Sequence, residues 1–308
     1  MNLPKTSLSK KIATTLHRNL IFIHGKGGVG KTSISQAIAL GLAEQGKKTL
    51  WVTIEDPTRP PGELLAQGPC LWHLNCSFKL AFEEYVGLKI GLPRLTQIFI
   101  QNKLMQYLAK AAPGVHEIVL LGKIWYERSH YDHVIVDMPS TGYGLAMFQS
   151  TENISNLFGA GPLHRDAEAM LKTLRSPEET GHVVVSLPEE MPLRESLELN
   201  DFLVRNFKQN PATFLVNRVF PTVTDPTGSQ FEEPLEMPRE LSDRVNPLAT
   251  SIEDYARMRT WLESFNLRIW KEAGISFGIT RQIPPDFNQR ESNLVRLLCE
   301  QLTSEAYL

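Results

Sequence analysis

An apolar run at residues 20–23, Leu-Ile-Phe-Ile, leads through His24 into Gly25-Lys-Gly-Gly-Val-Gly-Lys-Thr-Ser33, and this junction constrains the chain more than any other feature. The apolar run reads as a buried parallel strand, and residues 32–44 carry helical spacing closed by Gly46. Between them lies G-x-x-x-x-G-K-[ST], the pattern of a phosphate-binding loop, in the strand-to-helix context that the pattern requires. Gly25, Gly27, Gly28 and Gly30 allow a tight turn that aims successive N–H groups, that of Val29 included, at phosphate oxygens. The N-terminus of the following helix adds partial positive charge. In such a loop Lys31 reaches the β- and γ-phosphates, the Thr32 hydroxyl binds Mg²⁺, and Ser33 faces the α-phosphate. A glycine-rich turn with an accidental lysine would leave the whole string and both flanking elements unexplained.

Further strands are expected at residues 48–54, 131–137, 182–187, 213–219 and 275–282, with a short one at 71–75. Helices are expected at 81–86, 95–111, 115–127, 145–148, 163–174, 193–207, 251–272 and 291–303. The Pro-, Thr- and Gly-rich stretch 221–238 reads as a surface loop. Strands alternating with helices imply an α/β fold, a mostly parallel sheet covered on both faces. The helical stretches at about residues 77–130 and 145–175 break that alternation, so a helical subdomain is expected around the strand ending at Asp137. No internal repeat is present, which makes residues 1–308 one P-loop domain.

Two acidic residues stand at strand ends, where ligands of open α/β sheets bind. Asp137 closes the apolar strand Val134-Ile-Val-Asp137 and fits a Mg²⁺-holding role, direct or through water. Asp56, followed by Pro57, lies just past the second strand, within reach of a water attacking the γ-phosphate. By itself an Asp-Pro pair also reads as a turn starter. After Asp137 comes Pro139-Ser-Thr-Gly-Tyr-Gly144, in which Thr141, Gly142 and Gly144 suit a phosphate-sensing loop.

Taken together, these strings resemble the deviant Walker A ATPases and, among them, the ArsA/Get group. The form GKGGVGK, with its second lysine at Lys26, is the mark of that wider class, which also holds partition ATPases, MinD and nitrogenase iron protein. The resemblance implies that Lys26 reaches across a dimer interface to the partner's ATP, acting as an arginine finger does. On the residues alone Lys26 is also compatible with a solvated loop tip. Asp56-Pro57 is similar to the group's first switch and carries over as its catalytic aspartate. Asp137 with Pro139, Thr141 and Gly142 is similar to the second switch. Pro113-Gly-Val-His-Glu117, the stretch 183–196 and Phe214-Leu-Val-Asn-Arg218 resemble further segments of the group in the right order. The resemblance implies that Asn217 recognises adenine and that Pro284 falls in the adenine loop. The chain departs from tandem arsenite-efflux ATPases in being a single copy, and from tail-anchored-protein targeting ATPases in lacking a C-x-x-C clamp.

The resemblance implies an ATP-hydrolysing dimeric switch using ATP and Mg²⁺, a homodimer or a heterodimer with a paralogue. It would handle a client, an anion or metalloid efflux partner or a hydrophobic protein segment. Alternatives are a partition- or MinD-like ATPase acting on DNA or a membrane, and an ATP-binding regulatory subunit paired with a paralogue. A net charge of −2 supplies no global field toward nucleic acid or anionic lipid, so nucleic acid is not an expected partner. The apolar runs fall short of the roughly 20 residues of a membrane helix, and residues 1–20 lack the apolar stretch of a secretory signal. Three cysteines, Cys70, Cys76 and Cys299, make no disulfide framework and read as small buried hydrophobes in a cytoplasmic protein. Leu95, Ile98, Phe99, Leu104, Met105 and Leu108 form an apolar stripe, read first as core and second as a client face. Leu294, Leu297, Leu298 and Leu302 lie on one side of the last helix, which is expected to pack on the sheet. His24, His130 and His133 are expected to be structural or solvated.

Overall fold

The computed structural model describes residues 15–91, 114–157, 159–209, 212–219, 252–272, 277–281 and 291–303. Within them, strands β1 (Leu20–His24), β2 (Thr49–Ile54), β3 (Leu64–Gly68), β4 (Leu71–Cys76), β5 (His133–Asp137), β6 (Thr180–Ser186), β7 (Thr213–Val219) and β8 (Phe277–Arg281) form one sheet. The helices are α1 (Lys31–Glu44), α2 (Phe78–Ile90), α3 (Val115–Glu127), α4 (Thr141–Leu157), α5 (Pro162–Leu174), α6 (Glu190–Phe207), α7 (Ile252–Glu272) and α8 (Glu291–Thr303). The strand order is β3-β4-β2-β5-β1-β6-β7-β8, parallel throughout except where β3 returns antiparallel along β4. This is the α/β P-loop architecture expected from the sequence.

The central strands are mostly apolar because both their faces are covered, and successive side chains serve opposite layers. Leu20, Phe22, Leu50, Val52, Val134 and Val136 face a core built with residues of α2, α3, α4 and α5. Ile21, Ile23, Trp51 and Ile135, the alternate set, face α1 and α8. Val184, Phe214 and Val216 extend the first face under α6 and α7, where Trp270 is fully buried. In α8, Val295, Leu298 and Cys299 are buried, so this helix packs against the sheet's second layer as its leucine spacing implies. Trp51 sits in the interior with its indole N–H donating to the Ser35 hydroxyl at 3.0 Å, which offsets the cost of burying that donor.

Several boundaries differ from the sequence expectation. The region after residue 64 is helical only from Phe78, because Leu64–Gly68 pairs with Leu71–Cys76 as an edge hairpin. Its exposed leucine and lack of alternation hide it from a periodicity argument. Helix α4 runs over Thr141–Leu157, far beyond residues 145–148, since its polar stretch conceals the continuation. Thr151 within it is fully buried and satisfies its hydroxyl on the Met147 carbonyl at 3.1 Å. The strand expected at 131–137 begins at His133. The apolar stripe of residues 95–108 and the loop at 221–238 lie outside the described residues.

Phe22 tests this two-sided core. It is wholly buried, 5.1 Å edge-on from the Phe148 ring and 5.7 Å from the His182 ring with which it stacks. Phe22→Ala is expected to cost about 3–5 kcal/mol in urea unfolding with an unchanged m-value. A loss below about 1 kcal/mol would contradict its placement at the centre of the layer.

Candidate functional site

The order β2-β5-β1 brings three strand ends together. In register, Asp137 lies beside Ile23 of β1 on one side and Thr53 of β2 on the other. The phosphate loop leaving β1, the Asp56 segment leaving β2 and the Asp137 segment leaving β5 therefore open at one edge of the sheet. Thr32 Oγ1 donates to Asp137 Oδ2 at 2.6 Å, closing the gap between the first turn of α1 and β5. The other oxygen, Asp137 Oδ1, is buried without a hydrogen-bond partner. Burial pushes the Asp137 carboxyl up to about 6, against the opposing pull of the Thr32 hydrogen bond and the Lys31 charge. A hydroxyl and an unsatisfied carboxylate oxygen side by side form a hard-oxygen donor set that suits Mg²⁺.

The two lysines of the loop diverge. Lys31 turns inward, its ammonium donating to the Lys26 carbonyl at 3.0 Å, and burial lowers its pKa while Asp137 opposes the shift. Lys26 turns outward and meets Glu195 Oε1 of α6 at 2.7 Å, with both side chains partly exposed at 42% and 31%. Glu195 lies in the stretch 183–196, but no spacing rule announces an ion pair between positions 26 and 195.

Packing fixes the loop's backbone at both ends. Gly25 (φ +144°) lies so close to β6 that a Cβ would strike the Val185 carbonyl. Gly30 (φ +93°) lies against the Asn217 side-chain amide, where a Cβ would also collide. Asn217 is buried, and its Nδ2 donates to the carbonyl of buried Val29 at 2.8 Å. Its Oδ1 accepts from the Thr280 hydroxyl at 2.7 Å and from the Arg218 N–H at 2.9 Å. Asn217 thus braces the phosphate loop from the far side of β6. Gly27 and Gly28 are exposed, and Ser33 is half-buried in the first turn of α1.

Asp56 is held by its own loop. Its Oδ1 accepts from the Thr58 N–H at 2.9 Å and the Thr58 hydroxyl at 2.7 Å, while Arg59 Nε pairs with Oδ2 at 3.1 Å. Burial alone would raise the Asp56 pKa, but the Thr58 hydrogen bonds and the Arg59 charge hold it below the ordinary value. The Arg59 guanidinium lies 4.6 Å from the Trp51 ring centre. Buried Asn75 shapes this turn, accepting from the Asp56 N–H and donating to the carbonyls of Asp56 and Arg59. Neither Arg59 nor Asn75 carries a sequence signal. Pro57 and Gly142 are exposed, Pro139 is half-buried, and Thr141 opens α4. The Thr141 side chain and Pro284 lie outside the described residues.

His24 and His182 are interior groups. Their Nε2 and Nδ1 atoms are 3.0 Å apart, with the rings of Phe22 and Phe148 around them. Burial drives both pKa values down, His182 to about 3 and His24 further aided by His182 and Lys31, so two neutral rings share one hydrogen bond. Cys76 and Cys299 are buried, with thiols pushed up to about 12 and about 11, whereas Cys70 is only half-buried. Among the described residues no cluster of three or more His, Cys, Asp or Glu side chains could hold a metal ion.

Comparison with known proteins gives concordant results. The family described as anion-transporting ATPase matches residues 18–60, the stretch holding the phosphate loop and Asp56. The chain is similar to ATPase BagA of Mycobacterium tuberculosis, with 29% identity over 229 residues covering 67% of each protein. It is 23% identical to a putative arsenical pump-driving ATPase of Aquifex aeolicus, over 66% of this chain and 80% of that one. The arsenical pump-driving ATPase of Escherichia coli shows 30% identity across 46% of this chain and 27% of its own length.

The buried histidine pair sets an acid limit on folding. A histidine lowered from 6.5 to about 3 stabilises the fold fully above pH 6.5, and that contribution is lost as pH falls toward 3, where the unfolded chain alone takes the proton. His182 alone is expected to remove about 2 kcal/mol between pH 7 and pH 5. Chemical denaturation of the parent and of His182→Asn, which does not titrate, should show a flatter pH slope in the variant. Parallel slopes would show that His182 is not held neutral in the folded chain.

Proposed function

We propose that this chain, which belongs to the ArsA/Get-type ATPases and is an ATPase, works as a dimerising switch: Mg-ATP closes two subunits and hydrolysis reopens them. The observation that carries this reading is the divergence of the two loop lysines. Lys31 points into its own phosphate site, whereas Lys26 stands at the rim, half-exposed, with Glu195 facing it. A rim lysine on a phosphate loop suits delivery of charge to a second subunit's nucleotide, where phosphoryl transfer develops negative charge.

In this reading the loop N–H groups of residues 25–33 and the Lys31 ammonium bind the phosphates. Thr32 and Asp137 hold Mg²⁺, which when bound neutralises charge on the β- and γ-phosphates. The unpartnered Asp137 Oδ1 supports that assignment. Asp56 orients the attacking water after its carboxylate leaves Thr58 and Arg59. Asn217 keeps one amide N–H for the adenine edge while the other braces Val29, and Pro284 contributes to the same base site. Pro57, Pro139, Thr141 and Gly142 move with the two switches.

The client side of the switch is assigned to the helical layer of α2, α3, α4 and α5, a subdomain at about residues 77–130 and 145–175. Its client is an efflux partner or a hydrophobic protein segment, and the protein acts in the cytoplasm. No described helix is long and apolar enough to cross a membrane. The buried face of α8 argues against its use as a membrane-binding tail, and with it against a MinD-like role.

Solution mass tests the reading. Asp56→Asn is expected to form a dimer with Mg-ATP, to stay monomeric with ADP, and to lose the ATP-dependent dimer when Lys26→Ala is added. Light scattering that records one mass in all three conditions would sink the cross-subunit role of Lys26. An ATP-dependent complex formed only after a paralogue is added would assign a heterodimer instead.

A further inference from the structure

Asp56 and Glu55 are neighbours in sequence, yet their side chains serve different parts of the molecule. Asp56 stays on the phosphate edge, while Glu55 is directed to the helices. Glu55 holds the left-handed backbone region at φ +48°, an uncommon conformation for a residue with a side chain, and its N–H is tied to the Cys76 carbonyl at 2.9 Å. From there one carboxylate oxygen accepts from the Phe78 N–H, the first of α2, at 3.4 Å. The other faces His116 Nε2 in the first turn of α3, at 3.3 Å. His116 stacks on Phe78 with ring centres 4.6 Å apart. Its second nitrogen, Nδ1, lies 2.9 Å from the hydroxyl of Tyr143, in the segment that follows Asp137.

Burial and the nearby carboxylates of Glu117 and Glu55 push the Tyr143 hydroxyl up to about 12, so it stays protonated and is available to donate to His116 Nδ1. His116 thus meets Tyr143 through Nδ1 and Glu55 through Nε2. One imidazole therefore connects the segment leaving β2, the segment leaving β5 and the N-termini of α2 and α3.

We propose that His116 is a positioning residue that couples both phosphate-sensing segments to α2 and α3, so that nucleotide state is read out in the helical layer. This rests on the switch reading above. When either segment moves, Glu55 or Tyr143 withdraws from His116, and the first turns of α2 and α3 lose a shared anchor. Coupling of this kind needs an element with discrete arrangements rather than proximity alone, and in the switch reading the phosphate-edge segments supply it.

The test combines light scattering with hydrogen exchange of residues 78–90 and 115–127 in the full chain, using a non-hydrolysable ATP analogue against ADP. In the parent, exchange of both helices should differ between the two nucleotides. His116→Ala should still bind nucleotide and dimerise, while that difference shrinks by about five-fold, the equivalent of one hydrogen bond of about 1 kcal/mol. His116→Asn, which keeps an acceptor for Tyr143, should restore part of it, an effect that lost packing would not produce. Tyr143→Phe removes one hydroxyl and should diminish the difference too, which keeps the proposal exposed if His116→Ala fails to fold. Helices that exchange identically in both nucleotide states of a dimerising parent would overturn the coupling and leave the switch standing. A full response in His116→Ala or Tyr143→Phe would overturn it as well. A parent whose mass and exchange both ignore nucleotide would remove the switch reading and this proposal together.

Discussion

At Gly25 and Gly30 the phosphate loop is pressed against β6 and against Asn217 so closely that neither position has room for a Cβ. Everything at the phosphate edge depends on that fit. The loop N–H groups can converge on one site only if the backbone is held in this curve, and the hold comes from elements far along the chain. Val185 is the wall at one end, and Asn217, itself oriented by Thr280, is the clamp at the other. The loop is thus a local sequence motif whose geometry is set by the second half of the fold.

Charge is distributed around this fixed curve unevenly, and the imbalance has a direction. Lys31 and Asp137 are both partly stripped of water, and each is shifted toward its neutral form by burial. Asp137 carries the cost of an acceptor with no donor, whereas Asp56 is fully engaged by Thr58 and Arg59 and is shifted the other way. The site is therefore electrostatically incomplete at Asp137 and complete at Asp56. A divalent cation would relieve the first condition without disturbing the second. Catalytic use of Asp56 requires the opposite, a change in the loop that frees it.

How much of this was legible depended on whether a residue's role follows from its neighbours in sequence. The loop between β1 and α1, the turn at Asp56 just past β2, the strand end at Asp137 and the helix Glu291–Thr303 follow from local pattern, and the structure places them as that pattern implies. Edge strand β3 and the length of α4 did not, because an exposed hairpin and a polar helical stretch lack the periodicity that marks buried elements. The braces were invisible for a different reason. Lys26 with Glu195, Asn217 with Val29 and His24 with His182 join residues more than 150 positions apart, and the chemistry of each residue alone allows many partners.

Two adjacent acidic residues show what this arrangement achieves. A regular strand would have alternated their side chains across the sheet, one toward each layer. The left-handed turn at Glu55 instead ends β2 and sends its carboxylate over the helix N-termini, while Asp56 turns back on its own loop. The helices that receive Glu55 share one continuous apolar core with β1, β2 and β5, and close-packed interiors shift between discrete arrangements more readily than they deform smoothly. A displacement at the phosphate edge therefore meets closely packed side chains on the way to α2 and α3. The rigidity that fixes the loop is what makes a distant response to nucleotide physically reasonable.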